Sequence, residues 1–350
     1  MSLRSVQNLA RLALASAVVT SFMGQVDAAT ALSIASGDAG GSETSLARDM
    51  SGLVSAKAEF AVVPVSGDCG LRNIEHLLET PDISMAFVAT DALYATRDEE
   101  PLRAARLRLV ANFGPQEIHI VARSDIASLG DLAGKPVNLG PEGSGSALTG
   151  AHLFTALGIE IKPVALDGAA AIAALQQGSI AASVVLGPRP VPLLTKLDAG
   201  SGLHLVPVNF GGPLETSYLP ASLSHDDYPG LIAASVALPT VATGLLLLTA
   251  DRSTDPAFEI NIESFITALF SKIDTLKTGR HHLKWRDVNL AAALPGFVRA
   301  EAAENWLNEH QQQGAPKPVI EAGMAAPAFG KDQKEALFKS FIEWQRGKSQ

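Results

Sequence analysis

Along most of its length this chain alternates short, nearly continuous apolar runs with longer runs of helical period, and turns rich in glycine join them. A short apolar run bounded by turn residues is a strand buried on both faces, whereas apolar residues at i, i+3, i+4 and i+7 form one face of a helix. Repeated alternation of the two predicts an α/β fold with mainly parallel sheets. Strands are expected at 32–36, 59–64, 83–88, 107–113, 117–122, 136–139, 162–166, 181–186, 203–208 and 243–249. Helices are expected at 45–54, 69–78, 147–157 and 168–177, with short helical turns at 128–132 and 192–197 and an irregular stretch at 211–231. Asp255-Pro256 opens a long helix as N-cap and first helical residue, and Ile262, Phe265, Ile266, Leu269, Phe270, Ile273 and Leu276 form its core stripe.

Two of the strand-to-helix turns share one grammar. Gly37-Asp38-Ala39-Gly40-Gly41-Ser42 follows the first strand, and Gly140-Pro141-Glu142-Gly143-Ser144-Gly145-Ser146 follows the strand at 136–139. A turn of this kind presents free backbone N–H groups and hydroxyls to an anion. Thr90-Asp91 stands at the carboxyl end of another strand, where open α/β sheets bind ligands, although Asp91 is equally suited to capping the following helix.

Arg4 and Arg11 precede an apolar stretch at 12–24 and the small-residue pattern Val26-Asp27-Ala28, the form of a secretory signal peptide cleaved near Ala28. The formal charge of −9, made more negative by that cleavage, argues against nucleic acid or an anionic membrane as partner. The single cysteine, Cys69, excludes an internal disulfide and paired-cysteine zinc sites. His281-His282 has no evident third ligand partner, so no metal and no cofactor is expected, and the side chains are expected to be solvated. No Lys follows the glycine turn as in a phosphate loop, and Leu148 breaks the dinucleotide fingerprint.

The order of parts resembles the TAXI family of periplasmic solute receptors, which serve TRAP secondary transporters. The resemblance runs from about Leu32 to about His310. It is carried by the Gly40-Gly41 turn, by Ala89-Thr90-Asp91 before Tyr94, by Leu132-Ala133-Gly134-Lys135, by Gly140 to Gly145 and by Leu175-Gln176-Gln177-Gly178-Ser179-Ile180. It implies a type II periplasmic binding fold, two α/β lobes with a ligand cleft at the hinge. On this chain the signal peptide would be 1–28, lobe one 29–120 and 240–314, lobe two 121–239, and a C-terminal extension 315–350, with an amphipathic helix at 332–345. The implied function is capture of a small organic anion or amino acid in the periplasm and delivery to the membrane subunits of a TRAP transporter, with no enzymatic step.

The resemblance places Gly40, Gly41, Ser42, Thr90 and Asp91 on one wall of the cleft and Gly143, Ser144, Gly145 and Ser146 on the other. It makes Arg189, in Gly187-Pro188-Arg189-Pro190, a candidate clamp for a carboxylate. Tyr228 and Tyr94 are the candidate rings, Tyr228-Pro229-Gly230 keeping the end of a family run. Where many members carry an aromatic residue after the Gly-Gly pair, this chain has Ser42-Glu43-Thr44. Two other classes share the fold: an enzyme using Cys69, and a ligand-sensing subunit for a membrane kinase.

Overall fold

The computed structural model describes residues 32–37, 41–52, 60–63, 69–278 and 280–314. The segments read as signal peptide and C-terminal extension, and Gly40, lie outside the described residues. The body up to Asn308 is one compact unit; 309–314, the end of the last helix, belong to a second.

The first elements are β1 (Leu32–Ala35), α1 (Ser42–Ser51), β2 (Phe60–Val63), α2 (Leu71–Glu79), β3 (Met85–Ala89), α3 (Thr90–Glu99) and α4 (Pro101–Ala104). Then come β4 (Leu107–Arg123), β5 (Pro136–Asn138), α5 (Gly145–Ala156), β6 (Lys162–Val164), α6 (Gly168–Gln176), β7 (Ala182–Gly187), β8 (Leu203–Val206) and β9 (Leu219–Ser224). The chain continues through β10 (Ala237–Ala250), α7 (Pro256–Ser271), α8 (Ile273–Lys277), β11 (Val298–Arg299) and α9 (Glu301–Gly314).

The sheet order is β2-β1-β3-β10-β4-β7-β5-β6. β1 runs parallel to β2 and β3, and β5 runs parallel to β6 and β7. Between these two parallel groups lie β4 and β10, long strands paired antiparallel to each other. β10 also pairs with β3 on one side, and β4 with β7 on the other. Two α/β halves therefore share two continuous crossing strands. This is the type II periplasmic binding fold that the resemblance implies. The lobe limits read near 120 and 240 fall inside β4 and β10.

Strand β4 is one element where the sequence predicts two. Gly114-Pro115 should interrupt it, yet Gly114 takes a φ of +78°, and the pairing with β10 shifts register between Gly244 and Leu246. A bulge absorbs the break without ending the strand. The bend is pinned from outside, because the buried Lys284 ammonium donates to Pro115 O and pairs with Asp287 at 2.9 Å. Beneath it, Phe113 stacks edge-on with Phe87 at 5.1 Å and lies 5.2 Å from Trp285. The histidine pair belongs to the same anchor and is half-buried, where the sequence predicts solvated side chains. His281 Nδ1 lies 3.1 Å from Asp49 Oδ1, while Asp49 Oδ2 accepts from the His282 and Trp285 N–H groups.

Strand β9 lies in the stretch read as irregular and pairs antiparallel with the N-terminal half of β10. Pro220 is tolerated because this is an edge position. The stripe on α7 is buried as expected, but the helix breaks at Lys272, and Ile273 and Leu276 belong to α8. Each such fully buried side chain contributes about 1.5–3 kcal/mol. Asp255 caps α7 by accepting from the Phe258 N–H, and Asp167 caps α6 by accepting from Ala170.

Candidate functional site

A cavity of about 510 Å³ opens where β5, β6 and β7 end. Carboxyl ends of parallel strands leave a crevice because the chain turns away there on both sides, and ligands of open α/β sheets collect in it. Its apolar wall comes from β7 and the loop after it, through Val184, Val185, Leu186, Val191, Pro192 and Leu193. The opposite wall is Gly41, Ser42 and Glu43, contributed by the other half of the molecule.

Three helices present their N-terminal turns to this space: α1 through Ser42 and Glu43, α5 through Ser146, and α6 through Gly168 and Ala169. Each such end carries about half a positive charge from its unpaired N–H groups. Among the described residues Lys196 is the one basic residue on the wall, exposed and without an ion pair. Two carboxylates, Glu43 and Asp167, share the lining, and that of Asp167 is occupied by its own helix cap at 2.8 Å.

Asn138 ties the floor together. Its Oδ1 accepts from the N–H of Leu166 at 2.7 Å and of Gly140 at 3.3 Å, and its Nδ2 donates to Ser183 Oγ at 2.9 Å. One buried carboxamide thus fixes the ends of β5, β6 and β7 together. The Ser183 hydroxyl keeps a proton with no acceptor among the described residues. Ser146 Oγ accepts from Leu186 N–H at 2.8 Å and locks α5 onto β7.

The sequence-derived candidates separate into two groups. Gly41, Ser42 and Ser146 line the cavity; Thr90, Asp91, Gly143, Ser144, Gly145, Arg189 and Tyr228 do not. Ser144 is the N-cap of α5, its Oγ accepting from Ala147 N–H at 3.1 Å. Asp91 accepts from Thr149 Oγ1 at 2.5 Å, and burial raises its pKa against that hydrogen bond.

Arg189 does not face the cavity. Its Nε lies 3.2 Å from Glu117 Oε1, and its Nη1 reaches Ser222 O at 3.0 Å and Asp227 Oδ2 at 3.3 Å. Glu117 is only 4% exposed, and burial raises its pKa while Lys284 and Arg189 oppose the shift. A carboxylate so placed needs a cation, and Arg189 is held to it.

Tyr228 is 1% exposed in a small second core with Val121, Ala171 and Leu205. Its hydroxyl donates to His119 Nε2 at 2.7 Å and accepts from Val191 N–H at 2.9 Å, while His119 Nδ1 donates to Val185 O at 3.2 Å. Burial pushes the His119 pKa down to about 4, so the ring is neutral and the chain of donors is complete. Val185 and Val191 are cavity residues, so His119 and Tyr228 shape the wall from behind it. Tyr94 is also elsewhere, stacked against Phe297 and under Arg97. Cys69 is fully buried, with its carbonyl accepting from Ala89 N–H at 2.7 Å.

Residues 34–219, more than half of the chain, match the NMT1-like family. The chain belongs to the NMT1-like family. Among solved structures this NMT1-like chain is similar to the periplasmic binding protein BugD, with 13% identity over 81% of this chain and 94% of that one and a TM-score of 0.48. It is similar to the alkanesulfonate-binding protein SsuA from Xanthomonas axonopodis pv. citri bound to MOPS, with 17% identity, 82% and 95% coverage and a TM-score of 0.42. A third, YhfZ from Shigella flexneri, has 16% identity, 72% and 93% coverage and a TM-score of 0.41. The family assignment rests on the sequence match alone.

Asn138, Asp167, Ser183 and Lys196 are wall residues that the motifs did not single out. Asn138 had a readable mark, a polar residue at the end of a buried strand just before a glycine turn. Lys196 had none, since a lysine in a short surface helix is ordinarily solvated. Among the described residues, no group of three His, Cys, Asp or Glu side chains is arranged to hold a metal, and no helix is long and apolar enough to cross a membrane.

Proposed function

We propose that this NMT1-like protein is an extracytoplasmic solute receptor that captures a small organic anion or amino acid between two lobes and delivers it unchanged to the membrane subunits of a TRAP transporter. The observation that carries this reading is the cavity itself, where the N-terminal turns of three helices and Lys196 stand across from an apolar face of valines and leucines, with the Asp167 carboxylate taken up by its own helix cap. Helix N-termini and an ammonium favour a carboxylate or similar anionic group, and the valines and leucines opposite favour an apolar body. Hinging near 120 and 240 would let a solute that touches both lobes shift the population toward the shut form. The order of motifs along the chain supports the TAXI type of receptor, and the arginine-led apolar segment before Ala28 supports export to the periplasm.

The test is a thermal-shift screen of the purified protein against a panel of carboxylates and amino acids. At least one compound should raise the melting temperature in a saturable way, and Lys196→Ala should reduce the rise. A panel that moves nothing, in a protein that melts cooperatively, would contradict the reading.

A further inference from the structure

We propose that the glycine turn at 143–145 is a docking surface for the start of α2, and that this contact, together with Asp91 on Thr149, holds the two halves of the molecule shut by protein–protein contacts alone. The turn has the sequence grammar of an anion site, but its neighbours in the fold are protein.

Gly70 supplies the first observation. A Cβ at this position would overlap three backbone atoms at once, Gly143 O, Ser144 C and Gly145 N. The φ of Gly70 is an ordinary −96°, so the requirement for glycine here is space and not conformation. Two backbones from opposite halves are therefore in direct contact, which only a residue without a side chain permits.

The hydrogen bonds give the contact its direction. Arg72 N–H, in the first turn of α2, donates to Gly143 O at 3.0 Å, and the Arg72 guanidinium donates to Glu142 O. In this contact the glycine turn is the acceptor, and the free N–H end of α2 is the donor. Farther along the same interface, Asp91 at the start of α3 receives the Thr149 hydroxyl from α5 at 2.5 Å, and Thr149 is held within its own half by Tyr218 Oη, which donates to Thr149 O at 3.2 Å. None of Gly70, Arg72, Asp91 and Thr149 lines the cavity.

Contacts that lie outside the cavity and join its two sides set the balance between shut and open forms independently of any solute. They also tune affinity, because a receptor that spends a larger fraction of its time shut binds more tightly by that fraction.

The experiment uses full-length protein dialysed extensively to strip small molecules and spin-labelled at Leu102→Cys and Lys162→Cys, exposed positions on opposite halves; native Cys69 is buried. Pulsed dipolar spectroscopy then reads the inter-label distance. Gly70→Val should lengthen and broaden the distribution while circular dichroism and melting cooperativity remain those of the parent. Thr149→Val, which adds no bulk, should move it in the same direction by less. Parental distributions in both folded variants would overturn the proposal. Should Gly70→Val fail to fold, Thr149→Val and Arg72→Ala decide, and parental distances in those two overturn it. Because the readout is a distance in stripped protein, its failure would leave the solute-receptor reading standing, and a failed ligand screen would leave this one standing.

Discussion

The turn before α1 and the turn before α5 follow the same local rule, yet the first opens on the cavity, whereas the second gives it only its two ends, Gly140-Pro141 and Ser146, and turns its middle, 143–145, onto protein. Gly41 and Ser42 open on the cavity, and at its edge the Ser42 hydroxyl donates to Pro188 O of the other half at 3.4 Å. Gly143, Ser144 and Gly145 press on Gly70 and accept from Arg72. A strand, a glycine turn and a helix start create unpaired polar backbone in both places. What that backbone does depends on the neighbour that the sheet order brings to it. The turn after β1 meets the loops after β5, β6 and β7, whereas residues 143–145 of the turn after β5 meet the tightly packed start of α2.

Introducing the same bulky residue at the two places should therefore have different consequences. Ala169→Trp, on the exposed cavity wall facing the first turn, should abolish retention of solute while leaving the fold and the inter-lobe distance unchanged; a solute screen and dipolar spectroscopy on the same sample check both halves of the claim. Ser144→Trp should instead push the second turn off Gly70, lengthen that distance and lower the melting temperature. If both variants behaved alike, the two turns would have one role.

The wall behind the cavity carries the next effect. With a folded pKa of about 4 and an unfolded one of about 6.5, His119 is a group whose pKa is depressed on folding, and for a base that means the unfolded chain takes up the proton first. Stability should fall as pH drops from about 6.5 to about 4, by about 3 kcal/mol from this site alone. Glu117, Asp227, Arg189 and Tyr228 are the charged or titratable groups around it. Denaturant titrations at several pH values should show this slope diminished in His119→Gln. A slope that is unchanged in that variant would remove His119 from the account of the wall.

Lys196→Ala should weaken binding of an anionic solute about tenfold, roughly 1.4 kcal/mol, and leave stability within about 0.5 kcal/mol, as titration calorimetry and melting would show. Removing the caps should give the smallest change. Asp167→Ala beside the cavity and Ser144→Ala beside Gly70 should each cost about 1 kcal/mol of stability by denaturant titration.

Much of the fold was legible because its signals are local. Strand and helix periods gave nearly every buried element, Asp255 announced its helix, and the expected short turn at 128–132 is closed by a capping box of Ser128 with Asp131. Helix α1 begins at Ser42, three residues before the expected start, because Gly41 takes an extended conformation and serves as N-cap. Pairings between distant segments were not legible. Arg189 is drawn from the cavity by Glu117 and Asp227, 72 and 38 residues away, and Tyr228 by His119, 109 residues away. Strand β9 exists because β10 is long enough to offer it an edge. Of the site, the strand-end turns were readable, but which side of each turn faces a partner is a property of the packed sheet.

The most direct measurement is native mass spectrometry of the protein purified from its native host, wild type beside Ala169→Trp. A solute-binding cavity at the ends of β5, β6 and β7 predicts an added small-molecule mass on the wild type, released by mild activation, and the bare polypeptide mass for the variant. Equal masses for the two, corrected for the substitution, would contradict it.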